Sequence, residues 1–266
     1  MKLLDIHILS LTNRFPSYTA GKPPGPALMA LKLFTELRYE SFTPNPIRSW
    51  KIPSYPFPSS PERRQLFYSE PAQFVIHLLI FAILQCLPQY LPVKALGIIF
   101  AIYLLWTGLE LLLRYRNSPR LFGVIYLSDS LETFWSGEVW HNGLTASCLS
   151  LAYMPTTYIL SLLRLPRSLI RSCAVVASFS LMGVFHMYAM RPILSEEGQR
   201  RICLFFVANG VFTVIEVAVW GKKRDWRRAI SAWIIELGLA SWTVAECEVA
   251  DGLLHADWRG LCRAKV

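Results

Sequence analysis

The sequence predicts an all-α, polytopic bundle of about six membrane-spanning helices, and three observations predict it. Of the 266 residues, 53% are hydrophobic and 17% charged, with a mean hydropathy of +0.36; a soluble domain carries about 25% charged residues. The apolar residues come in blocks close to the roughly 20 residues that a spanning helix needs, rather than in amphipathic stripes. The basic residues sit in short groups between these blocks, as in Arg114/Arg116/Arg120 and Lys222/Lys223/Arg224, the pattern of membrane-flanking loops. Disorder is excluded, because it needs low hydrophobicity. The net charge of +9 does not point to nucleic acid, since the cations are not gathered on one face with aromatics between them. The lipid bilayer is the expected partner.

Residues 1–71 read as a proline-rich N-terminal segment. Ten of the 17 prolines fall between Pro16 and Pro61, a density that prevents long helices. Within it, 27–37 (ALMALKLFTEL) has the pattern of a short amphipathic helix at the membrane interface. The first residues are not a secretory signal, because Asp5 and His7 interrupt the apolar stretch and Arg14 and Pro16 end it.

Residues 72–247 carry the spans, expected at 72–92, 94–113, 145–163, 169–190, 202–220 and 229–247. Pro88 and Pro155 are expected to kink the first and third. The blocks are too long and too unalternating for barrel strands, and only helices or closed barrels satisfy their backbone in hydrocarbon. A cytosolic N-terminus places 18 of the 27 basic residues inside and 9 outside, which favours that orientation. The five charges at 222–228 fit poorly with it. Residues 248–266 read as a polar tail. No internal repeat is visible. The six cysteines form no CxxC pair and lie mostly in apolar blocks, so they read as buried small hydrophobes, and no zinc-ligand spacing is present.

Between the second and third spans, residues 116–144 are aromatic, partly polar and too interrupted to span. If 130–142 (SLETFWSGEVWHN) is helical, Phe134, Glu138 and His141 share one face, and Glu138 is placed to orient the His141 ring. Trp135 and Asn142 then occupy the adjacent face. The ordinary alternative is an interfacial aromatic belt. His186 lies in a strongly apolar span, where an ionisable residue is functional by default. Gly183, three residues earlier, leaves room beside it for a ligand or another backbone; the alternative is a snorkelling or helix-pairing histidine. Glu110 has Arg114 at i+4 and reads as a paired helix end. Glu216 and Glu236 should face the bundle interior, shaping a polar tunnel or pairing with each other, and His77 reads as an interior packing residue.

From Pro119-Arg120-Leu121-Phe122-Gly123 through S-L-E-T-F-W-S-G-E-V-W-H-N at 130–142, and on to F-S-L-M-G-V-F-H at 179–186, the chain resembles the wax-synthase-like branch of the membrane-bound O-acyltransferases. A looser likeness to its fungal members lies at Trp50-Lys51-Ile52-Pro53 with Pro56 and Pro58. The resemblance implies an acyl-CoA-dependent transferase that esterifies an alcohol within the membrane. It places the intramembrane histidine at His186 and the loop histidine at His141; from their spacing and chemistry, Phe134, Trp135, Glu138, Trp140, Asn142 and Gly183 are expected around the substrates. It implies no metal and no bound cofactor, with acetyl-CoA as co-substrate and a lipophilic alcohol, a terpenoid or meroterpenoid, as acceptor at the endoplasmic reticulum membrane. Three features depart from the family pattern. Met182 stands where a serine is usual, Gly137-Glu138 stands where many members are basic, and members usually begin with additional membrane helices, some of which are expected to be lacking.

Two neighbouring readings share these residues. A long-chain wax ester synthase would use the same mechanism with a deeper apolar channel. A small membrane terpene cyclase would instead lean on Glu216 and Glu236 as acids, and a non-catalytic membrane scaffold would need neither histidine.

Overall fold

The structure, a computed structural model, describes residues 2–19, 21–36, 41–43, 60–113, 120–135, 139–140, 143–192, 194–221 and 225–246. Each predicted block is helical over most of its described residues. Among the described residues, three helices are long and apolar enough to cross a membrane: Leu91–Leu112, Arg167–Ala189 and Glu196–Trp220.

The chain opens with α1 (Lys2–Leu11) and α2 (Pro26–Thr35), the second close to the expected 27–37. A two-stranded antiparallel ribbon, absent from the all-α expectation, pairs β1 (Ser17–Tyr18) with β2 (Phe42–Thr43). Glu36 holds the ribbon to α2: its carboxylate accepts the Ser41 N–H at 2.8 Å and the Ser41 hydroxyl at 2.7 Å. Helix α1 packs on the start of the third block, where the Ser150 hydroxyl donates to the buried Asp5 carboxylate.

Helix α3 (Pro61–Phe67) leads into α4 (Glu70–Cys86), which Ser69 caps by accepting the Ala72 N–H at 3.4 Å. The expected span 72–92 does not continue through a kink at Pro88. A residue before proline is pushed out of the helical region; Leu87 is extended (φ −86°, ψ 157°), and the chain restarts as α5 (Leu91–Leu113). Pro155 also does more than kink its block, which runs as α7 (Thr145–Cys148), a π-helical turn (Leu149–Tyr153) and α8 (Met154–Leu162). Proline lacks an N–H and clashes with the carbonyl four residues back. The wider turn just before it absorbs both faults.

Helices α9 (Arg167–Ala189) and α10 (Glu196–Trp220) form an antiparallel hairpin, and α11 (Trp226–Val244) returns against α10 and α5. Caps set these boundaries. Ser195 accepts the Gly198 N–H at 3.1 Å, Glu196 and Glu197 favour the first turn of α10, and Asp225 accepts the Arg227 N–H at 2.8 Å. Leu79, Ile83, Leu105, Val219 and Ile234 point outward, while Gln73, His77, Asn209, Glu216, Arg228 and Glu236 are buried. Apolar outside and polar inside is the distribution that lipid selects.

Candidate active site

The site begins with α6 (Leu131–Trp135), the short helix that carries the first motif. Of the predicted helix over 130–142, the described helical residues are Leu131–Trp135; Val139 and Trp140 are not helical, and the Trp140 N–H donates to the Phe134 carbonyl at 2.8 Å. The interfacial belt is also overturned for the described aromatics, since Phe134 is 3% and Trp140 8% exposed. Phe134 stacks on Trp140 at 5.5 Å and Phe122 meets the same indole edge-on at 5.3 Å. Val139 accepts the Gly123 N–H at 2.9 Å, which ties the earlier Leu121-Phe122-Gly123 stretch to the motif. Buried rings with a satisfied backbone make this segment part of the core, whereas a belt residue keeps one end in water. Glu138, His141 and Asn142 lie outside the described residues, as do Arg114, Arg116, Pro119, Lys222, Lys223, Arg224, Cys247, the Trp50–Pro58 segment and the tail.

Trp135 joins α6 to the helices that follow. Its indole N–H is shared by Asn209 Oδ1 at 3.1 Å on α10 and Glu236 Oε2 at 3.3 Å on α11. Its ring meets Phe179 of α9 edge-on at 5.6 Å and Phe206 of α10 at 5.7 Å. Trp135→Phe keeps a ring against these neighbours but removes the donor. It is expected to lower stability by about 1–3 kcal/mol, read as a lower unfolding midpoint of the purified protein in detergent.

His186 also packs on Phe206, their rings stacked at 4.3 Å. Its Nδ1 lies 2.8 Å from the Met182 carbonyl oxygen, four residues back. A carbonyl only accepts, so Nδ1 carries a proton and, in the neutral ring, Nε2 carries the lone pair. Gly183 faces a backbone: a Cβ there would stand 2.7 Å from the Cys203 carbonyl oxygen. The second motif thus meets the first through aromatic contact, His186 to Phe206 to Trp135. An open groove of about 390 Å³ runs along Ser172, Cys173, Val176, Ala177 and Ser180 on α9.

Glu216 and Glu236 do not pair with each other. Glu216 accepts the N–H groups of Leu131 at 2.8 Å and Glu132 at 3.1 Å, and pairs with Arg228 Nη2 at 3.0 Å. Arg228 also reaches Glu132 Oε2 at 3.1 Å, so it is a buried partner rather than one of five loop charges. Glu236 borders a cavity of about 10 Å³ with Ser128, Phe134 and Trp233, room for about one water. Glu110 accepts the Leu121 N–H at 3.2 Å. His77 is interior, stacked on Tyr103 at 3.8 Å. Sequence reasoning missed Asn209, Glu132 and Arg228. The available signal was helical register: Asn209 and Glu216 are seven apart, and Arg228 and Glu236 eight apart, each pair on one helix face. Among the described residues, no group of three or more His, Cys, Asp or Glu side chains is gathered to hold a metal.

Residues 118–208 match the Membrane bound O-acyl transferase family. The chain is similar to the "Probable long-chain-alcohol O-fatty-acyltransferase 1" of Arabidopsis thaliana, 28% identical over 123 residues, which are 45% of this chain and 35% of that relative. It therefore spans about a third of the length of the curated relative it matches. No solved structure matches it significantly. The matched family stretch contains Phe134, Trp135, Trp140, Gly183, His186 and Phe206, and ends just before Asn209. With its apolar spanning helices, the chain is an integral membrane protein.

Proposed function

We propose that the chain is an O-acyltransferase that moves an acyl group from acyl-CoA to the hydroxyl of a lipophilic alcohol within the membrane. The observation that carries this reading is the setting of His186: its tautomer is held by the Met182 carbonyl, and its ring is stacked on Phe206, which packs on Trp135 of the family-matched stretch. Nε2 takes the proton of the alcohol as the alcohol oxygen attacks the thioester carbonyl carbon. The tetrahedral oxyanion then collapses, the C–S bond breaks, and the imidazolium returns its proton to the departing CoA sulfur. His141 and Asn142, which follow Trp140 directly in the chain, are the proposed hydrogen-bond donors to the oxyanion, with Glu138 orienting His141. Phe134, Trp135 and Trp140 form an apolar wall that keeps water from the thioester. Gly183 lets α9 and α10 approach closely enough for His186 to meet Phe206.

The finer reading is acetyl transfer from acetyl-CoA to a terpenoid or meroterpenoid hydroxyl in secondary metabolism, at the endoplasmic reticulum membrane. The looser likeness of Trp50–Pro58 to fungal members of the wax-synthase-like branch supports it. Membranes containing the full chain, supplied in turn with labelled acetyl-CoA and palmitoyl-CoA and with a terpenoid alcohol and hexadecanol, test both levels. The expected product is the labelled acetate of the terpenoid, formed at least about tenfold faster than any palmitate, since a few methylenes suffice for such discrimination. Palmitoyl hexadecanol as the main product would make the chain a wax ester synthase. No ester from any pair, above membranes without the chain, would overturn the transferase reading.

A further inference from the structure

We infer that Glu216 and Arg228 are positioning residues of the transfer site: their buried ion pair clamps the N-terminus of α6 between α10 and α11 and so sets where Trp135 meets Phe206, the ring on which His186 stacks. The inference rests on the transferase reading for its kinetic consequence only. Helix α6 has five residues, too few to hold itself by backbone bonding alone. Its first turn is held by a side chain 85 residues away: Glu216 Oε1 accepts the Leu131 N–H at 2.8 Å, and Oε2 accepts the Glu132 N–H at 3.1 Å. The same Oε2 lies 3.0 Å from Arg228 Nη2, which also reaches the Glu132 carboxylate at 3.1 Å. One guanidinium thus ties α11 to α10 and to α6 at a single point. Trp135, one helical turn beyond Leu131, is held at the opposite end of α6 by Asn209 and Glu236.

The energetics make the clamp specific to its partners. Glu216 and Arg228 are 6% and 3% exposed. A buried charge is tolerated only with its partner in place, and removing one partner alone is far more damaging than removing both. The cap adds geometry to charge: a carboxylate that accepts two consecutive N–H groups at a helix start sets the helix direction as well as its position. None of Glu216, Arg228 and Glu236 lies within the family-matched stretch. The motif is therefore oriented by residues that the motif does not contain.

The test uses the purified full chain, labelled with 5-fluorotryptophan, with the Trp135 fluorine resonance assigned by its loss in Trp135→Phe. Glu216→Gln should move or split the Trp135 resonance and leave that of Trp106, on the outer face of α5, in place. In the same protein, kcat for ester formation should fall by about tenfold or more while KM for acyl-CoA stays within about twofold, the mark of a misplaced reacting group rather than a lost binding contact. The double variant Glu216→Gln/Arg228→Gln removes both buried charges, while the carboxylate that loses the guanidinium, Glu132, has a side chain 30% exposed to solvent; it should recover part of both the resonance position and kcat. If Glu216→Gln cannot be recovered folded, Arg228→Lys carries the test, since lysine keeps the charge but not the planar guanidinium whose Nη2 lies between the two carboxylates; the same resonance should move. The clamp is overturned if the Trp135 resonance stays put in the single variants, if the double variant is no better than Glu216→Gln, or if the resonance moves while kcat does not. A wild-type chain that forms no ester refutes the transferase reading by itself, and the fluorine spectra still report on the clamp.

Discussion

Replacing His186 with alanine is expected to lower ester formation by about 10²–10⁴-fold, the range that a positioned general base contributes, without unfolding the chain. The ring is only half-buried and makes one side-chain hydrogen bond, to a carbonyl of its own helix, so its loss leaves no partner stranded in another element. His77 is the informative control, because it has the same local arrangement. Its Nδ1 lies 2.6 Å from the Gln73 carbonyl oxygen, four residues back, and its Nε2 also carries the lone pair. His77, however, is fully buried, and Nε2 has no hydrogen-bond partner. It stacks on Tyr103 at 3.8 Å and neighbours Phe100 and Tyr126. Two histidines of one tautomer therefore differ in access alone. His77→Ala is expected to lower the unfolding midpoint while turnover per folded molecule stays close to wild type; His186→Ala should do the reverse. Measuring initial rates and unfolding midpoints on the same preparations separates the two. Normal ester formation by His186→Ala would remove the proposed base.

Gly210→Ala and Gly183→Ala are each expected to destabilise the α9–α10 hairpin by about 1–3 kcal/mol, the range for overpacking a tight interface. The added methyl at 210 would stand 2.7 Å from Phe179 Cβ and 2.8 Å from its Cγ, and the one at 183 would stand 2.7 Å from the Cys203 carbonyl oxygen. Both distances are well inside van der Waals contact, so the helices must separate or rotate. Small residues at such crossings let backbones approach in a membrane, where burial of apolar surface does not itself drive helix association. At both positions the nearest obstacle is fixed to the backbone, Phe179 Cβ at 210 and the Cys203 carbonyl oxygen at 183, so no rotamer change relieves either clash, and the larger functional effect is expected from Gly183→Ala. It should also lower kcat, because the separation of α9 and α10 sets the stacking of His186 on Phe206. Unfolding in detergent and initial rates with acyl-CoA check both effects. An unchanged midpoint for Gly183→Ala would show that the close approach is not needed.

Much of the chain was legible residue by residue. The apolar blocks became helices because length and composition suffice for that assignment in a membrane. Two of the block boundaries went wrong in an instructive way. Pro88 and Pro155 were expected to bend continuous helices, yet one ends its helix at Cys86 and the other is preceded by a π-helical turn. Proline states that a helical hydrogen bond is missing, but not whether the chain will stop or widen to accommodate the loss. The motif helix failed for a related reason. Shared-face spacing describes a helix once formed, and so short a stretch supplies too little stability of its own to keep Val139 and Trp140 helical.

Local chemistry wrote the helical blocks and the positions of His77 and His186 in apolar spans; each depends on neighbours a few residues away, so the order of residues suffices to place it. The pairing of Glu216 with Arg228 and the α6 backbone, the sharing of the Trp135 N–H by Asn209 and Glu236, and the burial of Phe134 and Trp140 followed from packing. Those partners lie tens of residues apart, and a buried polar group takes whichever complementary partner the packed helices bring within reach, a choice that spacing along a chain does not encode.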